Sequence, residues 1–328
     1  MKFISIQRSA MPFIAFAALV VIPAHRGRAG IGPTDTSDVY AIALDPNALT
    51  TIYAGTDDGI FKTTDGGQSW QLANDGIVGI IYSNMVVDPT NSNYVYMGTA
   101  GDGFFATSNG GQNWTHGEGS YHPVVKSISI DPVYSNVVNM GAFRDIYRSF
   151  DHGATFGILH QFDFATGVLS IANDPVSTTT IYIGTNTQGL LKSTDWGYNW
   201  FSTSLPPQLI GVVALDPGNH DVAFAAGAND LFKSTNDGQL WRAVLSLGTS
   251  YGTAIVFDTA NPGTMYASFY YNGVYASNDG GETWYSANTG LPTVNINAMV
   301  VDSQNGIVYA GTDGSGIYVS YDGGQTWN

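Results

Sequence analysis

The sequence predicts an all-β fold, a seven-bladed β-propeller with four strands to a blade, and three observations carry that expectation. An aromatic residue closes the pattern Ser/Thr-x-Asp/Asn-x-Gly-x-x-aromatic seven times, at a spacing of 41 to 44 residues. A second series, Asp45, Asp88, Asp131, Asp174, Asp216, Asp258 and Asp302, runs in step with the first, and all but the last two of these precede proline. Between the two series recurs a short apolar run ending in small residues, as in Tyr53-Ala54-Gly55-Thr56 and Tyr309-Ala310-Gly311-Thr312. Repeats of this length are stacked supersecondary units. Short, evenly spaced strands with no helical period between them close into radial blades.

The first unit shows how a blade is built. Val39 to Leu44 reads as strand A, Thr51 to Thr56 as strand B and Gly59 to Thr63 as strand C, while Trp70 to Leu72 opens strand D. These runs alternate or are rich in Val, Ile and Tyr. Turn residues bound them: Asp-Pro after A, Gly and Asp after B, Asp-Gly-Gly after C. Strand A is expected nearest the axis, because one of its positions carries small residues in Ala41, Asn84, Ser127, Ser170, Ala254 and Ala298, with Val212 the exception. Small side chains permit crowding; Asn84, Ser127 and Ser170 fit either tight packing or the lining of a hydrated channel.

The C–D turn explains its own composition. The acidic or amide side chain accepts from backbone N–H groups further along, glycine supplies a positive φ, and Ser or Thr adds a second local acceptor. These turn residues are Asp65, Asn109, Asp151, Asp195, Asn236, Asp279 and Asp322, closed by Trp70, Trp114, Phe156, Trp200, Trp241, Trp284 and Trp327. The aromatic is expected to pack beneath its hairpin, where burying about 150–250 Å² of an indole stabilises by an upper bound of roughly 4 to 6 kcal/mol. A structural role is the reading for all fourteen positions.

Composition narrows the function. Lys2 and Arg8 precede an apolar stretch from Met11 to Ala24, shorter than the roughly 20 residues of a membrane span. Residues 1–29 read as a secretory leader cut after Ala24 or Ala29, with an uncleaved anchor as the alternative, since Arg26 and Arg28 crowd the cut. The expected location is secreted, periplasmic or extracellular, with no membrane span in the mature chain, and residues 30–328 form a single propeller. Loss of 29 residues would remove four of 11 basic side chains and none of the 26 acidic ones, leaving a net charge of −19. Nucleic acid is then not an expected partner, because no basic surface is present to neutralise phosphates. The chain has no cysteine, which excludes disulfides, thiolate catalysis and cysteine metal sites.

Strand reversal places the A–B turns and the C–D turns on one face of the disc, and the B–C loops and D–A connections on the other. The variable chemistry falls on that second face. Asp57, Asp58, Asp102, Asp145, Asp230 and Asp313 lie in or beside its B–C loops, as do Tyr270 and Tyr271; Tyr121, His122, Phe162 and Tyr251 lie in connections and Tyr82 heads a strand. Carboxylates and aromatics around a channel mouth suit a polysaccharide, a protein ligand such as a cationic peptide, or a calcium ion; solvated loop residues are the plain alternative. No other cofactor is expected. The six histidines show no pair at metal-ligand spacing, and the one Gly-x-Ser-x-Gly run, Gly248-Thr249-Ser250-Tyr251-Gly252, has no helical period after it to make a nucleophile elbow.

The recurring C–D turn resembles the Asp box, or bacterial neuraminidase repeat. The blade Asp-Pro…Tyr-Ala-Gly-Thr…Gly-Ile-Phe-Lys-Thr-Thr-Asp-Gly-Gly is similar to those of secreted Asp-box propellers over residues 38 to 327. That group includes two-propeller xyloglucanases, sialidases, ectodomains of sorting receptors and photosystem II assembly factors, so the resemblance implies the fold and leaves both enzymes and binding scaffolds open. A sialidase would present three arginines to the substrate carboxylate. Beyond the leader only Arg144, Arg148 and Arg242 remain, with Arg148 at a strand C position held elsewhere by Lys62, Lys192 and Lys233. In the xyloglucanases a catalytic Asp ends a Tyr-Ala-x-Thr-Asp segment of the first blade, and Asp57 falls on it; Asp313 matches equally, and the family's partner carboxylate belongs to a second propeller. Glycoside hydrolysis needs two carboxylates at a set separation, and with only Glu118 and Glu282 as glutamates the candidates here are aspartates. The reading is an exported, non-catalytic binding or assembly scaffold that uses the B–C loop face. The alternative is a glycoside hydrolase employing Asp57.

The last aromatic, Trp327, is followed only by Asn328, so strand D of the seventh blade is expected to be incomplete. Residues 30–37, Gly-Ile-Gly-Pro-Thr-Asp-Thr-Ser, have little strand character with which to supply it, and a fragment of a longer chain is the favoured expectation.

Overall fold

A computed structural model of the chain describes residues 38–77, 82–120 and 124–328. Among the described residues there is no helix; 27 strands form seven sheets. Blade 1 comprises β1 (Val39–Leu44), β2 (Ile52–Thr56), β3 (Gly59–Thr63) and β4 (Gln71–Leu72), and blade 2 comprises β5 (Tyr82–Val87), β6 (Val95–Thr99), β7 (Phe104–Thr107) and β8 (Thr115–His116). Blade 3 has β9 (Ser127–Ile130), β10 (Val138–Ala142), β11 (Asp145–Ser149) and β12 (Gly157–Gln161); blade 4 has β13 (Val168–Asn173), β14 (Ile181–Thr185), β15 (Leu190–Ser193) and β16 (Phe201–Ser202). Blade 5 runs through β17 (Ile210–Leu215), β18 (Ala223–Gly227), β19 (Asp230–Ser234) and β20 (Arg242–Ser246), and blade 6 through β21 (Tyr251–Phe257), β22 (Met265–Tyr270), β23 (Gly273–Ser277) and β24 (Tyr285–Ser286). Blade 7 contributes β25 (Ile296–Asp302), β26 (Ile307–Thr312) and β27 (Ile317–Ser320), beside which Asn328 exchanges two backbone hydrogen bonds with Val319. The expectations for the leader and for residues 30–37 lie outside the described residues.

Every sheet is an antiparallel meander in chain order. The first strands of successive blades touch in a ring that ends with β25 against β1, so strand A is the inner strand and the disc is closed. The core is correspondingly divided. Seven apolar clusters each fill the seam between two neighbouring blades, and the cluster of Val39, Ile42, Ala298 and Tyr309 joins the last blade to the first. Blade faces are buried on both sides, which is why strands such as β2, β6, β10, β14 and β18 are buried along their full length.

Two of the small residues on the inner strands are ties between blades. Asn84 Oδ1 accepts from the Ile128 N–H (3.2 Å), and Ser127 Oγ accepts from the Ile171 N–H (2.9 Å). Ser170 Oγ occupies the same position without a partner in the structure. Tight packing therefore accounts for these residues better than the lining of a channel. In six inner strands the register slips by one residue close to the start, a bulge that re-aims one side chain; in β1 the extra residue is Tyr40.

The two conserved-spacing aspartate series do local work. All seven aspartates of the A–B turn accept the N–H two residues on, from Asn47 (2.9 Å) to Gln304 (3.1 Å). The C–D turn is a clasp: in the first copy the Gly67 N–H donates to Thr63 Oγ1 (3.0 Å), while Ser69 donates its N–H to Asp65 Oδ1 (2.9 Å) and its hydroxyl to Oδ2 (2.6 Å). The same Oγ-to-N–H bond recurs in all seven copies. The residue before the box glycine is left-handed throughout, and in blades 3, 4 and 5 it is His152 (φ 57°), Trp196 (φ 66°) and Asp237 (φ 55°) in place of glycine. Of the closing aromatics, Trp70, Trp114, Phe156 and Trp327 are buried, whereas Trp200, Trp241 and Trp284 remain partly exposed. Trp114 and Trp327 donate their indole N–H across the seam to the carbonyls of Ala73 (2.9 Å) and Ala287 (2.7 Å).

Candidate functional site

The two faces are fixed by hydrogen bonds. On one, the backbone N–H of the left-handed box residue donates to the A–B turn of its own blade, as with Gly66 to Thr50 and Trp196 to Thr179 (both 2.9 Å). On the other, B–C turns bond the entry to strand A: the Asp57 N–H donates to the Asp38 carbonyl and the Asp313 N–H to the Asn295 carbonyl (both 2.9 Å). The rim residues expected to bind a ligand are therefore on the loop face, and the structure sorts them into two groups.

Asp102, Asp145 and Asp230 are engaged on the outer part of their blades. Asp145 is 6% exposed and accepts from Gln161 Nε2 (2.8 Å), its cross-strand partner on β12. Asp230 accepts from Ser246 Oγ (2.5 Å), its own cross-strand partner on β20. At Asp102 the carbonyl, paired with His116 Nε2 at 3.1 Å, makes the corresponding link. All three stitch strand C to strand D. Phe162 packs against His160 and Trp200. Tyr121 and His122 lie outside the described residues, as does the side chain of Tyr82, which heads β5.

Asp57, Asp58, Asp313, Tyr251 and Tyr271, in contrast, fall in one sector where blades 6, 7 and 1 meet. Tyr270 donates its hydroxyl to Asp313 Oδ2 (2.6 Å), stands edge-on to Tyr271 (ring centroids 4.6 Å), and Tyr271 in turn lies 6.2 Å from the Tyr251 ring. Tyr271 is 49% exposed at the tip of the β22–β23 turn with φ 78°, a conformation that costs a non-glycine residue of order 1 kcal/mol. Sequence reasoning missed Asp38 and Tyr40. Asp38 sits just before β1, and its carboxyl is pushed up to about 6, first by burial and then by a hydrogen bond to Asp313 and the charges of Asp313 and Asp57. Two carboxylates this close share a proton. Burial and the neighbouring Asp58 likewise raise Asp57 above the usual carboxylate range. The signal for Asp38 was its place at the head of the first inner strand, next to the bulge at Tyr40, but it falls outside the repeated aspartate series.

The remaining chemistry is dispersed. Arg144 lies over the Phe164 ring (3.8 Å), Arg148 bonds Asn139 on β10, and the exposed Arg242 pairs with Glu282, so each arginine has its own local partner and no three of them face a common point. Among the described residues no group of three or more His, Asp or Glu is arranged to hold a metal ion.

A family model described as the BNR/Asp-box repeat matches residues 318–328, the last of the seven clasps. The fold is a seven-bladed β-propeller with Asp-box turns. No curated protein matches this propeller's sequence, and its solved likenesses are distant. The GH74 xyloglucanase from Xanthomonas campestris superposes with a TM-score of 0.73 at 18% identity, covering 95% of this chain and 53% of that one, so the propeller spans about half the enzyme's length. YCF48 from Cyanidioschyzon merolae gives 0.65 at 14% identity, with 92% and 98% covered. The extracellular domain of the hybrid two component system BT4673 from B. thetaiotaomicron gives 0.71 at 17% identity, with 93% and 40% covered. At these identities the likeness is one of fold. Among the described residues no helix is long and apolar enough to cross a membrane.

Proposed function

We propose that the protein is an exported, non-catalytic scaffold that binds a carbohydrate or protein ligand at the loop face where blades 6, 7 and 1 meet. The observation that supports this reading is the gathering there of Tyr40, Tyr251, Tyr270 and Tyr271 with Asp38, Asp57, Asp58 and Asp313. Tyrosine rings offer flat apolar faces with a polar tip, and carboxylates accept from hydroxyl or ammonium donors, a pairing that suits a sugar chain first and a cationic peptide second. Both kinds of partner occur among the structural likenesses: one of these propellers is a xyloglucanase, and YCF48 is seen with the D1 peptide bound.

One observation favours hydrolysis as a second reading. Asp38, beside Asp313, holds its proton to about pH 6 close to Asp57, and glycoside hydrolysis uses one protonated and one ionised carboxyl. The two readings separate in a single assay. The purified protein is titrated with xyloglucan and with β-glucan, following both binding by calorimetry and the appearance of new reducing ends. Saturable binding that Tyr271→Ala weakens, without turnover, supports the scaffold. Turnover abolished by Asp57→Asn replaces it with the enzyme, and neither binding nor turnover with these glycans moves the ligand class to peptides.

A further inference from the structure

The box face carries a cation whose counterpart is missing. Strand C holds a basic residue at one repeated position in four blades, and in three of them the next blade's box supplies the acceptor. Lys62 Nζ donates to the Gly110 carbonyl (2.8 Å), Lys192 Nζ pairs with the Asp237 carboxylate (2.7 Å), and Lys233 Nζ pairs with Glu282 (2.6 Å). The fourth is Arg148 on β11. Its Nε donates to Asn139 Oδ1 (2.7 Å), but Nη1 is buried with no acceptor, although the whole residue is only 5% exposed. From the blade 4 box Arg148 meets the Trp196 ring, 5.6 Å from the guanidinium carbon, and it bonds none of that box's oxygens. Asp131 is felt only as a distant charge, and its Oδ1 is already taken by the N–H groups of Val133 and Tyr134.

A buried guanidinium without an anion is costly, because the desolvation of the charge is not offset by pairing. An open cleft lies beside it. Arg148 lines a cleft of about 300 Å³ in the seam between blades 3 and 4, together with Phe150, Ile158, Leu159 and Tyr198. Phe150, Ile158 and Tyr198 are 61%, 58% and 62% exposed, so they are free to move aside at little loss of packing. That volume lies at the lower end of small-molecule sites, about 300–1,000 Å³.

We propose that this cleft is a second binding site, on the face opposite the tyrosine–aspartate sector, for a small organic carboxylate with an apolar or aromatic body. With Nε engaged by Asn139, the Nη1–Nη2 edge is the one left to receive both oxygens of a carboxylate, the geometry guanidinium groups favour; Nη1 is covered in the empty cleft, so Phe150 and Tyr198 shift aside to admit the ligand. Phe150, Ile158 and Tyr198 then cover the apolar body. Burial lowers the Arg148 pKa, in keeping with a cation that lacks its anion.

The test uses the full chain in a chloride-free buffer, with phenylacetate as the probe and phenylacetamide, acetate and inorganic phosphate as controls, read by calorimetry and by Tm. Phenylacetate is expected to bind saturably and raise Tm. Arg148→Met is expected to weaken binding on the order of 30-fold or more, while its own Tm without ligand changes little, because loss of the unpaired buried charge is set against the Asn139 Oδ1 left without its donor. Tyr198→Ala, a surface change, is expected to weaken phenylacetate without affecting Tm. Equal binding of phenylacetamide, equal binding of phosphate or acetate, or undiminished binding by Arg148→Met would each overturn the proposal, as would no binding of phenylacetate at all. None of these outcomes bears on the loop-face site.

Discussion

The shared proton of Asp38 and Asp313 makes a prediction that can be worked through. In the unfolded chain Asp38 titrates near 3.8; in the fold it is pushed up to about 6. The folded protein therefore holds a proton that the unfolded chain has released, and stability falls as pH rises through the window from about 4 to about 6. A displacement of this size corresponds to about 3 kcal/mol, but the pair is open on one side to solvent, so screening reduces the expected effect to about 1–2 kcal/mol. Asp313→Asn removes one of the two charges, retains an oxygen for the Tyr270 hydroxyl and gives Asp38 an amide donor. The variant should be more stable than the parent by up to about 1 kcal/mol at about pH 7.5, because the burial that contributes most to the Asp38 shift remains, and equal to it at about pH 4.5, where Asp38 is already protonated in the parent. Urea unfolding of both proteins at the two pH values measures this, and the difference between them cancels every other titrating group. A variant equally stable or less stable than the parent at the higher pH would refute the shared-proton argument.

Three further outcomes are expected. The clasp carboxylates behave oppositely: hydrogen bonds from Ser69 and Thr63 hold Asp65 at about 2, and those from Thr326 and Ser320 hold Asp322 at about 2, so their contribution is present above about pH 4 and lost as pH falls toward 2; tryptophan fluorescence during acid titration should show unfolding centred in that lower window. Trp114, 3% exposed and bonded across a seam, should cost about 3–5 kcal/mol on truncation to alanine, and the partly exposed Trp241 roughly half as much, measured by urea unfolding; equal losses would contradict the seam reading. Tyr271→Gly should relieve the left-handed backbone, leaving stability equal or raised by up to about 1 kcal/mol, while weakening glycan binding, whereas Asp145→Ala should lose about 1–3 kcal/mol of stability with ligand binding unchanged.

The fold was legible because the repeat writes the same physics seven times. The box glycine, its acceptor side chain and the closing aromatic must recur wherever a hairpin is clasped over a seam, so the sequence marks every blade. The candidate site was legible only in part. Asp57, Asp58, Asp313, Tyr251 and Tyr271 were identifiable as loop residues, yet so were Asp102, Asp145 and Asp230, which occupy matching places in their blades. What distinguishes them is the outer strand: Gln161 and Ser246 stand directly across from Asp145 and Asp230 and take up their carboxylates, a cross-strand register that periodicity does not reveal. Asp38 and Arg148 were obscured for a different reason. Each becomes unusual only through a group in another blade, Asp313 for the one and Trp196 for the other.

A closed ring of near-identical blades also supplies its own control experiment. Residues at one repeat position experience the same backbone, the same neighbours in the seam and much the same burial, so a difference between copies isolates the contribution of one partner. Lys62, Lys192 and Lys233 show what strand C cations do when they bond an oxygen of the facing box; Arg148 shows the same position with no such bond made. The seams keep the ring closed, and stability is set by all seven together. A single seam can then carry a crowded carboxylate pair or an unpaired guanidinium at a cost of a few kcal/mol without opening the disc. Departures from the repeat are for that reason the places where selection on function can act, and both sites proposed here are such departures, one on each face.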